Sequence, residues 1–66
     1  MFGVIIIRDV RDYEILGHRS INTDEEDVRE VAKKSINNIS KKFKESKKYL
    51  CASIIFATDV EKPLDL

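Results

Sequence analysis

Sixty-six residues, 36% of them charged but with zero net charge, make one small domain and leave no room for a second. One cysteine and one histidine exclude a disulfide framework and a zinc site, and Gly3 and Gly17 stand too far apart to form a phosphate-cradling glycine loop. A chain of this length buries only about 60% of its unfolded surface, so with no staple present self-association is the expected source of extra stability.

The lone Cys51 points to a reducing compartment. No stretch approaches the roughly 20 apolar residues that span a bilayer. Arg8 and Asp9 interrupt the apolar run after Met1, which therefore does not read as a secretory signal. A cytoplasmic chain that makes no membrane contact is expected. Its charges are segregated. Residues 1–32 carry four basic against eight acidic residues, residues 33–48 carry seven lysines against Glu45, and residues 49–66 carry one lysine against three acids. The strongly basic block lies on the predicted helix.

Phe2 to Val10 (FGVIIIRDV) predicts the first strand. Val4 to Ile7 are apolar and β-branched at successive positions, which makes both faces of the strand apolar and suits a central place in a sheet. Asp9 to Asp12 is the turn signal. A three-residue loop of Val10, Arg11 and Asp12 would set Arg8 opposite Glu14, a favourable cross-strand pair. Tyr13 to Ile21 (YEILGHRSI) predicts a more polar second strand, suited to an edge. Gly17 in its middle marks a bulge or the close approach of a bulky neighbour.

Thr23 to Ser46 predicts one long helix of about 35 Å. Val28, Val31, Ala32, Ile36, Ile39 and Phe43 recur at three- and four-residue steps and form its buried stripe. Thr23 and Glu26 have the spacing of a capping box, and Asp24 to Asp27 place acids where the helix dipole favours them. Tyr49 to Thr58 (YLCASIIFAT) predicts the third strand, uncharged from end to end. Residues 60–66 read as a C-terminal tail beyond a domain of residues 1–59.

The element order is therefore β-β-α-β, an α+β fold: a three-stranded antiparallel sheet in order 2-1-3 with one long helix packed on one face. Cys51, Ser53, Ile55 and Ala57 fall on the side the helix does not cover, and no charge guards the edge of strand three. An open apolar face and an open edge predict a homodimer.

No residue set points to catalysis. Cys51 lies among apolar neighbours and reads as a small core residue rather than an activated nucleophile. His18 has no nearby nucleophile or orienting acid in sequence and reads as a surface or interface histidine. The acids at residues 24–27 have no EF-hand spacing and read as helix-start stabilisation. No cofactor is expected. On a helical wheel Lys33, Lys41 and Lys44 lie opposite the apolar stripe with Lys34 beside them, a basic face that could follow phosphates. Zero net charge, the lack of arginine in this block and the lack of stacking aromatics weigh against nucleic acid. The C-terminal Pro63-Leu64-Asp65-Leu66 has the form of a P-x-D-L docking peptide, a four-residue pattern that chance often supplies.

The sequence thus predicts a small non-enzymatic protein-interaction module, homodimeric, of an accessory or regulatory kind. Lys33, Lys34, Lys41, Lys44, Cys51, Ser53 and Ile55 are its candidate contact residues. A nucleic-acid-binding dimer using the lysine face is the alternative, and a small enzyme ranks third.

Overall fold

A computed structural model describes residues 1–56 and 60–66. The chain forms β1 (Phe2–Asp9), β2 (Ile15–Asn22), α1 (Val28–Phe43), a 3-10 turn (Lys47–Tyr49), β3 (Leu50–Phe56) and β4 (Glu61–Pro63). The fold is α+β, with one helix on an antiparallel sheet. The sheet has four strands in the order β2-β1-β3-β4, not three. The predicted order 2-1-3 is present within it, and the fourth strand comes from residues expected to be a tail. Strand three therefore is not an edge. Ser53, Ile54 and Ile55 pair with Pro63, Lys62 and Glu61, and the Leu64 N–H extends the ladder to the Ala52 carbonyl at 2.9 Å. The expected continuation of strand three through Ala57 and Thr58 lies outside the described residues.

β1 takes an inner position because both of its faces suit burial. Ile5, Ile6 and Ile7 are all buried, and β1 pairs with β2 on one side and β3 on the other. Side chains alternate between faces along a strand. Ile5 and Ile7 join Ile21, Leu50, Ala52 and Ile54 under the helix, where Val31 and Ala32 are buried against them. Each fully buried isoleucine contributes about 1.5–3 kcal/mol of transfer free energy. The opposite face carries Phe2, Val4, Ile6 and Arg8. Ile5 and Ile7 thus belong to the helix side.

The helix is shorter than predicted at 16 residues, about 24 Å. Its N-cap is Asp27, not Thr23: the Asp27 Oδ1 accepts the N–H of Arg29 at 3.0 Å and of Glu30 at 3.4 Å. Thr23 belongs to a preceding turn instead. The Asn22 carbonyl accepts the N–H groups of Glu25 and Glu26, and the Thr23 hydroxyl donates to the Met1 carbonyl. Glu26, freed from capping, pairs with Arg19 at 3.1 Å. At the other end Lys44 adopts the left-handed conformation with φ 52° and turns the chain out of the helix. Lys44, Lys47 and Lys48 therefore do not extend the helix beyond the sheet. Phe43, expected as a core anchor, is 46% exposed. It is the last helical residue, one turn beyond Ile39, which is the last helical side chain packed on the core.

The hairpin loop also differs. The Asp9 N–H donates to the Glu14 carbonyl at 2.9 Å and the Tyr13 N–H donates to the Asp9 carbonyl at 2.8 Å, so residues 10–13 form the loop and Tyr13 takes φ 60°. Asp9 and Glu14 do face each other, and Arg11 relieves their repulsion by binding the Asp9 carboxylate. Arg8 stands opposite Ile15 rather than Glu14. Both readings of Gly17 hold. The β1–β2 register shifts between Ile7 and Arg8, leaving Leu16 as a bulge next to Gly17. A Cβ on Gly17 would also lie 2.8 Å from the Ile39 Cδ1.

Candidate interaction surfaces

Three surfaces remain once the helix and β4 have covered what they cover. The first is the helix-free face of the sheet. Register partners share a face, so Phe2, Val4, Ile6 and Arg8 stand with Asn22, Ser20, His18 and Ile15 on one side, and with Ile55, Ser53 and Cys51 on the other. Phe2 is 73% exposed and Ile15 is 50% exposed, while Val4 and Ile55 are half-buried. Apolar surface is therefore open at Phe2 and partly open at Val4 and Ile55, with Ile6 buried among them and Ile15 apart at the far end.

Between them lies a charged bridge. Arg8 reaches diagonally across β3 to β4, where its Nε and Nη2 donate to the two carboxylate oxygens of Glu61 at 3.1 and 2.9 Å. Its Nη1 donates to the Tyr13 carbonyl at 2.7 Å. One guanidinium thus ties together the central strand, the last strand and the hairpin loop. The arginine holds the Glu61 carboxyl below its ordinary range. Ser53 is buried beside this bridge, and the Cys51 Sγ is half-buried 3.6 Å from the Arg8 carbonyl oxygen. The predicted contact residues Cys51, Ser53 and Ile55 do lie on the helix-free face, but Ser53 is closed off by its surroundings. Ala57 lies outside the described residues.

The second surface is the lysine block. Lys33, Lys34 and Lys41 are exposed on α1, and Lys44 is exposed at its C-cap. Lys34 pairs with Glu30 one helical turn away at 3.2 Å. Lys44 has left the helix, so the four do not form a single helical face. Nearby, Arg11 links Asp9 and Glu45, each at 2.7 Å, and stacks on the Tyr49 ring with its centroid 4.3 Å away. That cluster fastens the hairpin loop to the segment after the helix. The Arg11 hydrogen bonds hold the Asp9 carboxyl down from 3.8 to about 2.

The third surface lies between the free edge of β2 and α1. It is a groove of about 350 Å3 with Ile5, Ile7, Leu16 and Ile39 along its apolar part and Ser35, Asn38, Arg19 and Lys42 among its polar residues. Of these residues, sequence reasoning placed only Gly17 beside a bulky neighbour. The groove itself had no signal, because it is set by the angle at which the helix crosses the sheet. Arg8–Glu61 was hidden for a similar reason: its residues are 53 positions apart and one was assigned to a tail.

No protein-family model, curated protein or solved structure matches this chain. No described helix is long and apolar enough to cross a membrane.

Proposed function

We infer that this chain is a non-enzymatic protein-interaction module that associates with itself through the helix-free face of its sheet and in that form binds another protein, in a regulatory or accessory role. The exposed Phe2, in line with Val4, Ile6 and Ile55 on a face with no second layer, carries this reading. A two-layer domain has one helix to cover one face, and apolar groups left on the other favour contact with a second apolar surface. Pairing through the edge of strand three has lost its basis, since β4 occupies that edge. Stacking of open faces remains, with two copies related by a two-fold axis. Strands about 4.8 Å apart and about 3.3 Å per residue give this face roughly 400 Å2 in projection. That is below the roughly 800 Å2 per partner of a standard interface, so a dimer through this face alone should be weak.

Sedimentation of wild type and of Phe2→Asp tests the reading. Self-association in the wild type that Phe2→Asp abolishes, with the circular dichroism spectrum unchanged, supports it. A wild-type monomer at high micromolar concentration refutes it.

A second reading rests on the exposed lysines at and beyond the end of α1, Lys41, Lys42, Lys44, Lys47 and Lys48, in a segment (41–48) whose one acid is Glu45. They would follow a phosphate backbone, and the same self-associated form would double the contact. Electrophoretic mobility shifts with DNA and RNA at two salt concentrations separate the two: tight binding that falls steeply with salt favours nucleic acid.

A further inference from the structure

The two edges of the sheet are finished differently. Bonded and non-bonded pairs alternate along an antiparallel ladder. The Leu64 N–H bonds Ala52, so Lys62 turns its backbone groups inward and Glu61 and Pro63 turn theirs out. Pro63 has no N–H to offer, which blunts that edge. At the other edge the Thr23 N–H bonds Met1, so Gly17, Arg19 and Ile21 face β1 and the N–H and C=O groups of His18 and Ser20 point outward. No proline interrupts β2, and no described strand pairs with it on that side.

Beside this edge lies the β2–α1 groove, with its apolar lining from Ile5, Ile7, Leu16 and Ile39. A second cleft, of about 440 Å3, lies between α1 and β3 and is open as well. Beyond β4, Leu64 packs on the core and Leu66 reaches the space between Ile36 and Leu50, beside Lys33 and Lys47.

The open groove also has a direction. Glu26 sits at its Ile21 end, bonded to Arg19, and Lys42 at its Leu16 end. A strand added antiparallel to β2 would begin near Glu26 and end near Lys42. Arg19 already pairs with Glu26, so the charge preference falls at the other end, where the added strand should be acidic beside Lys42.

We propose that the β2 edge and the β2–α1 groove bind an extended segment of a partner protein by strand addition, antiparallel to β2, with alternate apolar side chains in the groove and acidic residues meeting Lys42. It deepens the protein-interaction reading above but uses a different surface from the self-associating face. Backbone hydrogen bonds to His18 and Ser20 supply the attraction, and the groove selects the alternating side chains. A second copy of β2 is a poorer occupant. In the register centred on residue 19, Arg19 would oppose its own copy, and like charges directly opposite destabilise a pair.

The test is a titration of the isotope-labelled protein with a synthetic octapeptide, Arg-Val-Thr-Ile-Ser-Val-Asp-Asp, followed by amide and methyl resonances. Saturable shifts are expected at His18, Ser20 and the Ile39 methyl groups. N-methylation of alternate peptide residues should abolish binding in one frame and leave it in the other, since only one set of N–H groups faces β2. The reversed sequence, and Lys42→Glu with the original peptide, should each bind about fivefold more weakly. Absence of saturable shifts at millimolar peptide, or binding indifferent to the N-methylation frame, overturns the proposal. So do shifts at His18 and Ser20 that follow protein concentration alone and persist in Phe2→Asp, which would make a second copy of the β2 edge the occupant. Failure of the self-association reading shows instead in sedimentation of the wild type and the Phe2→Asp variant, a measurement made without peptide.

Discussion

Gly17 and Ile39 should behave as one unit when the packing of α1 on β2 is perturbed. A Cβ on Gly17 would lie 2.8 Å from the Ile39 Cδ1, where ordinary contacts begin at 3.4 Å. Gly17 has no positive φ, so a side chain there meets no backbone penalty. Gly17→Ala sets two small effects against each other. Removing a strand glycine stabilises by about 0.5–1 kcal/mol. Displacing the tip of Ile39, which borders the open groove and can swing into it, costs a comparable amount, so the net change should be small. Gly17→Val adds two methyl groups that the swing cannot clear and should cost about 1–3 kcal/mol. Ile39→Ala should cost about 1–2 kcal/mol, below the range for a fully buried isoleucine because the side chain is only half-buried. In the double variant the valine introduced by Gly17→Val would find the space that Ile39 vacates, and the combination should cost about 1 kcal/mol less than the sum of the singles. Urea unfolding followed by circular dichroism measures all four proteins. Strictly additive costs would show that the helix does not press on Gly17 and that the β2–α1 groove has a different shape.

Three further outcomes follow from the same structure. Phe43→Ala should cost under about 1 kcal/mol, because the ring is 46% exposed, and a thermal melt reads this as a shift of no more than about 4–8 °C. Lys44→Gly should stabilise by about 1 kcal/mol, since φ 52° costs a lysine what it does not cost a glycine, and the melt should rise accordingly. Acid should loosen the β4 bridge and the hairpin loop. Glu61 and Asp9 both have folded pKa values below their unfolded ones, so their contributions are complete above the ordinary carboxylate range. Both are lost as pH falls, that of Asp9 between 3.8 and about 2. Resonances of residues 61–64 should move with the Glu61 titration as pH falls below the ordinary carboxylate range, and Glu61→Gln should remove that movement.

The sequence carried the centre of this fold better than its ends. Four successive β-branched residues in β1 could only be central, and the spacing of Val28, Val31, Ile36 and Ile39 named the face the helix buries. Gly17 announced its bulge and its neighbour, because a strand gains from a side chain unless the backbone bends there or another group needs the space. The helix start was obscured by abundance: Thr23 and Asp24 to Asp27 include several competent caps, and Asn22 decided among them by holding Glu25 and Glu26 in a turn. Phe43 continued the periodicity although the helix ended beneath it. β4 was illegible because three residues containing a proline show no strand pattern of their own. Its pairing depends on the open edge of β3 and on Arg8, both distant in sequence. The candidate surfaces divided in the same way. Cys51, Ser53 and Ile55 were placed on the open face by alternation alone, whereas exposed Phe2 and Ile15 were hidden within apolar runs.

Sedimentation velocity of the wild-type protein across the micromolar range, with Phe2→Asp alongside, tests the central reading most directly. Weight-average mass rising from 7.6 kDa toward twice that value, with Phe2→Asp held at the lower one, is the predicted result. A wild type that stays at 7.6 kDa throughout and coincides with Phe2→Asp would contradict it.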